Sequence, residues 1–111
     1  MPGLTQPGDI TREVLLGFIR IHILHHAAHR PVYGLWLIEE LAGHGYKLSA
    51  GTLYPILHTL AARGLLSSRE RLANGKIRKY YSITRPGRKA LTQMRRKLRE
   101  LVSEVLPATR L

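Results

Sequence analysis

A helix-forming segment followed by a basic hairpin most constrains how this chain can fold. The run LSAGTLYPILH at residues 48–58 predicts a helix with polar residues near its start. After a short gap, NGKIRKYYSIT at residues 74–84 predicts the returning strand of a cationic hairpin. A polar helix followed by a cationic β-ribbon is the layout of a winged helix-turn-helix. We therefore expect a mainly α fold with a small β-hairpin.

Length and charge indicate one small domain with an anionic partner. A chain of 111 residues, 44% of them hydrophobic, can build only a small core, and such domains often pair. The net charge of +11 favours nucleic acid as the partner, although a generic cationic surface or a membrane-surface protein would also fit. Thirteen of the eighteen Lys and Arg residues lie within 63–99, opposed only by Glu70. Binding through that stretch should weaken steeply with salt.

Several classes of protein are disfavoured by composition. The absence of cysteine excludes a disulfide framework, a thiolate metal site and a cysteine nucleophile. The first residues lack the charged and apolar regions of a signal peptide, and no apolar run approaches the ~20 residues of a membrane span. We therefore expect a cytoplasmic protein.

Catalysis is also disfavoured. Asp9 is the only aspartate, and no acid is placed to orient His58 toward Ser49. Glu39 and Glu40 are neighbours, so they would point about 100° apart on a helix rather than act as a pair. A glycine-rich phosphate loop is absent too. We expect the chain not to be an enzyme.

The first half of the chain divides into an arm and two helices. Residues 1–9 predict a flexible arm, since two Pro and two Gly fall within 1–8. Asp9 or Thr11 can cap a first helix that runs to about residue 28, where the following Arg30-Pro31 breaks it. A second helix is predicted over 32–42, and residues 43–48 would form the turn of a helix-turn-helix.

The start of the third helix presents a conflict. Ser49 is a good N-cap but would place Pro55 inside the helix, whereas Thr52 as the cap would put Pro55 in the first turn. We expect an irregular first turn over 49–55 that leaves Ser49, Gly51 and Thr52 near a phosphate. Gly64 should close this helix.

Two strands, 65–72 and 76–84, should follow, joined through Asn74-Gly75, the strongest short hairpin signal. In the second strand Ile77, Tyr81 and Ile83 alternate with a face that carries Arg78. One face can therefore pack while the other meets DNA or water. The winged helix-turn-helix would then span residues 10–84.

The last helix, over 85–107, should begin at a Thr84 cap and end at Pro107. Its apolar positions are spaced three, four, three and four, as in a heptad seam; they are Leu91, Met94, Leu98, Leu101 and Val105. We interpret this as a dimerisation helix. An ordinary amphipathic helix folded back on its own domain is the alternative.

Four histidines lie on one side of the first helix, at positions i, i+3, i+4 and i+7; they are His22, His25, His26 and His29. Spacing of i, i+4 lets two imidazoles share a metal, and neutral imidazole suits zinc, nickel, copper or cobalt. A third ligand would have to come from elsewhere, such as a carboxylate or a partner subunit. A polar rim or a pH-sensitive patch would explain the same residues.

The sequence resembles the PadR family of bacterial transcriptional regulators. The resemblance rests on PVYG at 31–34, LSAGTLYPILHTL at 48–60, GLL at 64–66 and RKYYSITRPGRKAL at 78–91. The G-T-L-Y-P and R-K-Y-Y-x-I-T motifs are specific in combination. The short C-terminal part resembles the compact subfamily, which has a single dimerisation helix. The chain departs from the family at Leu35-Trp36-Leu37, where a charged or aromatic residue followed by Glu is common.

The resemblance implies a homodimeric repressor that binds a palindromic operator and is released by a small-molecule or metal effector, with no required cofactor. Its third helix would enter the major groove, and its wing would reach the flanking backbone or minor groove. By position, the implied DNA-binding residues are Ser49, Gly51, Thr52, Tyr54, His58, Lys76, Arg78 and Lys79. Trp36 is expected in the core, although a pocket for a flat aromatic effector near it is the alternative. The competing function is non-specific, architectural nucleic-acid binding.

Overall fold

The computed structural model describes residues 7–108 and contains four helices with a three-stranded antiparallel sheet. The elements in chain order are α1 (Pro7–His29), β1 (Val32–Tyr33), α2 (Gly34–Gly43), α3 (Ala50–Ala62), β2 (Leu66–Ala73), β3 (Lys76–Ile83) and α4 (Arg85–Val105). This confirms the predicted fold class, a mainly helical chain with a small β-hairpin. Among the described residues, no helix is both long and apolar enough to cross a membrane.

Helix α1 is longer than predicted at its start. It begins at Pro7, so it takes in residues 7–9 that the sequence assigned to the arm, and residues 1–6 lie outside the described part. Proline suits the first position of a helix, and Asp9 in the first turn complements the helix dipole. The helix ends at His29, as expected immediately before Arg30-Pro31.

The predicted start of the second helix at residue 32 is wrong. Val32 and Tyr33 form β1, which pairs with β3 in the register Val32↔Tyr81 and Tyr33↔Tyr80, and α2 begins at Gly34. β-Branched and aromatic side chains favour strands, and the pairing gives β3 a second neighbour in the order β1-β3-β2. A two-residue strand is too short for the sequence to reveal by alternation.

The hairpin confirms the turn signal. Asn74 and Gly75 both have positive φ, 52° and 76°, as a two-residue type I′ turn requires. Strands β2 and β3 pair along their full length, from Leu66↔Ile83 to Ala73↔Lys76. The hairpin therefore extends as a long, regular wing.

The core lies where α1, α2, α3 and the sheet meet, and it draws one fully buried hydrophobic side chain from α4. Each large aliphatic side chain removed from water there stabilises the fold by roughly 1.5–3 kcal/mol. The buried core consists of Ile19, Ile23, Leu24, Ala27, Val32, Leu37, Leu41, Leu53, Ile56, Leu57, Leu60, Leu66, Tyr81 and Leu91.

Thr84 fixes the start of α4, as predicted. Its hydroxyl oxygen accepts from the Gly87 backbone N–H at 3.0 Å and donates to the Gly64 carbonyl at 2.5 Å. The second bond ties α4 to the loop that ends α3. Farther along, Arg88 donates to the Ala28 carbonyl at 3.2 Å, so the first half of α4 is held against α1.

Candidate nucleic-acid interface and histidine cluster

The first turn of α3 is regular, contrary to the sequence expectation. Ser49 is the N-cap and its hydroxyl accepts from the Thr52 backbone N–H at 3.3 Å, so Thr52 is not the cap. Pro55 lies inside the helix. The carbonyl that it leaves without a helical partner is that of Gly51, an exposed residue whose backbone water can reach. The helix therefore continues through the proline.

Helix α3 has one buried side and one exposed side. Leu53, Ile56, Leu57 and Leu60 point into the core. Of the predicted DNA-binding residues on this helix and its cap, Ser49, Gly51, Tyr54 and His58 are exposed and Thr52 is half-buried. The sequence analysis did not include Thr59, which is also exposed and donates from Oγ1 to the Pro55 carbonyl at 2.9 Å. Hydroxyl and imidazole groups on this side are of the kind that contacts base edges and phosphates.

A groove joins α3 to the wing. Its walls come from the start of α2, from α3 and from β3. The lining residues are Tyr33, Gly34, Leu35, Tyr54, Ile77, Arg78 and Lys79. Three of the predicted DNA-binding residues, Tyr54, Arg78 and Lys79, therefore border one continuous depression. Lys76 lies at the exposed tip of the wing, at the first position of β3.

Tyrosines and arginines pack against each other on one side of the sheet. The Tyr33 and Tyr80 rings contact edge to face, with centroids 5.3 Å apart. The Arg78 guanidinium lies 4.5 Å from the Tyr33 ring centroid, and that of Arg71 lies 5.3 Å from the Tyr80 centroid. The contact with Tyr33 holds the Arg78 guanidinium beside the groove, and Lys79 is more exposed than Arg78.

The expected packing of Ile77 is wrong. Tyr81 is buried and Ile83 half-buried, but Ile77 is 71% exposed because it lies where the hairpin extends beyond the core. Its cross-strand partner Leu72 is also exposed.

Three histidines converge where α1 meets the turn after α2. His22 and His26 on α1 and His44, the C-cap of α2, each offer a ring nitrogen, and these atoms lie within 4.8 Å of one another. Glu40 closes the cluster, with Oε2 3.0 Å from His44 Nε2 and 3.6 Å from His26 Nε2. The sequence analysis missed His44 and Glu40, because helical spacing relates residues on one helix and not across a turn.

His25 and His29, the other two predicted metal ligands, are not among the three histidines whose ring nitrogens converge, although the His25 ring contacts that of His26 with centroids 5.1 Å apart. His29 donates from Nδ1 to the His25 carbonyl at 2.9 Å. His25 accepts at Nδ1 from Arg95 of α4 at 3.0 Å. His25 thus contributes to the α1–α4 contact.

The surroundings of the two α1 members of the cluster favour the neutral form of each imidazole. Burial, followed by the nearby His44 and His25, lowers the pKa of His22 below its usual value. Burial also lowers the pKa of His26, although Glu40 acts in the opposite direction. A neutral imidazole has a lone pair available to a metal.

Comparison with known proteins identifies the family. The profile of the transcriptional regulator PadR-like family matches residues 23–93. The chain belongs to the PadR family. The transcriptional regulator Rv3488 of Mycobacterium tuberculosis is 54% identical over 95 residues, which is 86% of this chain and 89% of that protein.

Solved PadR structures share the fold. The PadR-like transcription factor from Bacteroides fragilis superposes with a TM-score of 0.76 at 28% identity, covering 87% of this chain and 95% of that one. A PadR family regulator from Eggerthella lenta gives 0.72 at 31% identity, covering 88% and 90%. This PadR chain is therefore a winged-helix transcriptional regulator of a DNA-binding family and not an enzyme.

Two apolar surfaces of this PadR regulator are left uncovered. On α1 the exposed large side chains are Ile10, Val14, Leu15 and Phe18. On α4 the seam changes along its length: Leu91 is buried and Met94 and Leu98 are half-buried, but Leu101 and Val105 are 49% and 64% exposed. Only the first part of the predicted dimerisation seam is therefore used within the subunit.

Proposed function

We propose that this regulator is a homodimeric repressor that binds a palindromic operator. The groove between α3 and the wing carries the proposal, since it brings the exposed polar side of a helix next to the cations of a hairpin. In this arrangement α3 of each subunit enters the major groove, and Lys76, Arg78 and Lys79 contact the flanking phosphates. Such a protein would act in the cytoplasm, on DNA.

The proposed dimer surface combines the uncovered parts of α1 and α4. Apolar patches of this kind on a small protein mark interaction sites. A second copy of the chain is the simplest partner for this surface, because a two-fold axis pairs the same surface with itself. The same axis would place two DNA-binding domains on one duplex. The α4 residues of the proposed surface are Leu101, Val102, Val105 and Leu106.

An effector would release the repressor from its operator. Trp36 packs against the core and places its ring 5.3 Å from that of His26, at an interplanar angle of 81°. The packing supports the core role expected for Trp36, but the residue is half-buried and also lines a depression with His26 and Glu40, so a pocket for a flat aromatic effector stays the alternative.

Selection of bound sequences from a random duplex pool tests this function. A homodimeric reader should enrich a two-fold symmetric sequence whose half-site centres lie about one helical turn, ~10 base pairs, apart. His58→Ala should relax the base preference within each half-site, whereas Lys79→Ala should lower affinity for every sequence alike. A pool that remains random after repeated rounds would favour the non-specific architectural alternative.

A further inference from the structure

The histidine cluster lies outside the nucleic-acid interface and joins two parts of the fold. His22 and His26 are one turn apart on α1, and His44 caps the end of α2 at the turn that leads to α3. Any group bound by all three would link α1 to the helix-turn-helix. We propose that His22, His26, His44 and Glu40 form a binding site for a divalent transition metal of the zinc class.

The ligand set fits that class of metal. Three imidazoles and one carboxylate supply four donors, the number that Zn²⁺ takes in tetrahedral sites. Bonds of about 2.0–2.1 Å to zinc place neighbouring donors roughly 3.3 Å apart in a tetrahedron. The Glu40 contacts at 3.0 and 3.6 Å already bracket that spacing, and the three imidazole nitrogens lie within 4.8 Å of one another, so metal binding would draw them closer by side-chain rotation.

An unsatisfied nitrogen supports the site independently of spacing. His26 Nε2 is buried and finds no hydrogen-bond partner within residues 7–108; Glu40, at 3.6 Å, is close enough only for an electrostatic contact. A buried polar atom without a partner is costly unless a ligand completes it. Trp36 packs edge to face against the His26 ring, with the centroids 5.3 Å apart.

The position of the site gives the metal a mechanical role. His44 follows directly on α2, and α3 begins six residues later, at Ala50. A bond from the metal to His44 would fix the turn relative to α1 and so restrain the angle at which α3 is presented. The metal would then act as the effector of the repressor, an inference that rests on the function proposed above. Metal binding would lower the affinity of the protein for its operator.

Cobalt binding in the absence of DNA tests the site itself. The wild-type protein should bind one Co²⁺ per chain, with the intense visible bands of tetrahedral coordination, and Zn²⁺ should displace it. His44→Asn alters an exposed residue and should weaken binding at least about 100-fold, beyond the 10–100-fold typical of residues that only support ligands. His29→Asn, which changes an exposed histidine of α1 outside the cluster, should leave binding unchanged.

Two outcomes would overturn the site: wild-type affinity in His44→Asn, or equal losses in His29→Asn and His44→Asn. The regulatory role is tested separately by operator binding with and without Zn²⁺. Zinc should raise the operator Kd at least tenfold in the wild type and leave it unchanged in His44→Asn. Cobalt binding with an operator affinity indifferent to zinc would contradict the effector role alone. Cobalt binding by a protein that selects no operator would instead contradict the proposed repressor.

Discussion

The phenol of Tyr54 lies directly against the backbone of Gly34. A Cβ at position 34 would lie 2.6 Å from Tyr54 Cζ and closer still to the hydroxyl oxygen. The two residues are twenty positions apart and come from the P-V-Y-G and G-T-L-Y-P motifs, so the contact joins the two motifs in space. Tyr54 is still 39% exposed, so it packs on α2 and borders the groove to the wing at once.

Gly34→Ala should therefore displace Tyr54 and weaken both folding and DNA binding. Overpacking of this kind costs typically 1–3 kcal/mol. The free energy of unfolding, measured by urea denaturation, should fall by about that amount. Gly43→Ala, which also lies in α2 but has open space around its Cβ position, should be neutral or stabilising. Equal effects of the two substitutions would mean that helix propensity, and not the Tyr54 contact, decides the result.

Tyr81→Phe should leave the fold as stable as the wild type or more stable. Tyr81 is 1% exposed, and its hydroxyl finds no hydrogen-bond partner in the described chain. Removing an unsatisfied buried hydroxyl removes its desolvation cost, which is about 1–3 kcal/mol. A loss of stability in urea denaturation would instead reveal a hydrogen bond at this hydroxyl. Tyr81→Ala is the contrast, and should cost roughly 3–5 kcal/mol as a large-to-small core change.

The same tyrosine should make stability depend on alkaline pH. Burial, assisted by the nearby Tyr54, raises the pKa of Tyr81 above its usual value of 10. Above pH 10 the unfolded chain then loses this proton while the folded chain keeps it, so stability falls as pH rises. Unfolding free energies measured from pH 9 to 11 should fall less steeply in Tyr81→Phe than in the wild type. Parallel curves for the two proteins would contradict this assignment.

Arg78→Ala with Lys79→Ala should weaken binding to all DNA sequences and flatten its salt dependence. Each phosphate contact contributes about 0.9 to the slope of log K against log salt, so a dimer could lose up to roughly 3.6. Arg96→Ala with Lys97→Ala removes the same charge from exposed positions of α4 away from the groove and should change the slope less. An unchanged slope in the wing variant would remove the wing from the interface.

Leu101→Glu with Val105→Glu should produce a folded monomer. Both side chains are exposed within one subunit, so a charge there should oppose association with little effect on the core. Leu98→Glu is a poorer test, because Leu98 is half-buried and its replacement would also disturb packing within the subunit. Sedimentation equilibrium should show at least a hundredfold weaker association, about 2.7 kcal/mol. Leu72→Glu, at an apolar position on the wing that is 76% exposed, should remain dimeric. A double variant that stays dimeric would place the interface elsewhere.

Local chemistry made much of the fold predictable from the sequence. Asn74-Gly75 determined the hairpin because few other residues tolerate the backbone of that turn, and Thr84 determined the start of α4 because its side chain can cap. Features that depend on tertiary contacts could not be predicted from the sequence. Strand β1 exists only because β3 lies beside it, and the regular start of α3 depends on Gly51 being exposed.

The candidate sites divide in the same way. The residues of α3 implied by the family resemblance are exposed except for Thr52, which is half-buried. The histidine cluster could not be predicted from helical spacing, because His44 contacts His22 only once the turn after α2 lies against α1. Spacing alone could not separate His25 and His29 from that cluster either. The hydrogen bond from Arg95 of α4 to His25 depends on the tertiary fold, which spacing does not reveal.

Fluorescence anisotropy tests specific operator binding directly. The wild-type protein would be titrated onto duplex DNA from upstream of its own gene, with excess random competitor and at fixed salt. We expect tight binding that survives the competitor, because specific affinities are typically 10³–10⁷-fold above non-specific binding. Binding that the competitor abolishes, on this DNA and on sequences selected from a random pool, would contradict it and leave a cationic winged helix without a specific target.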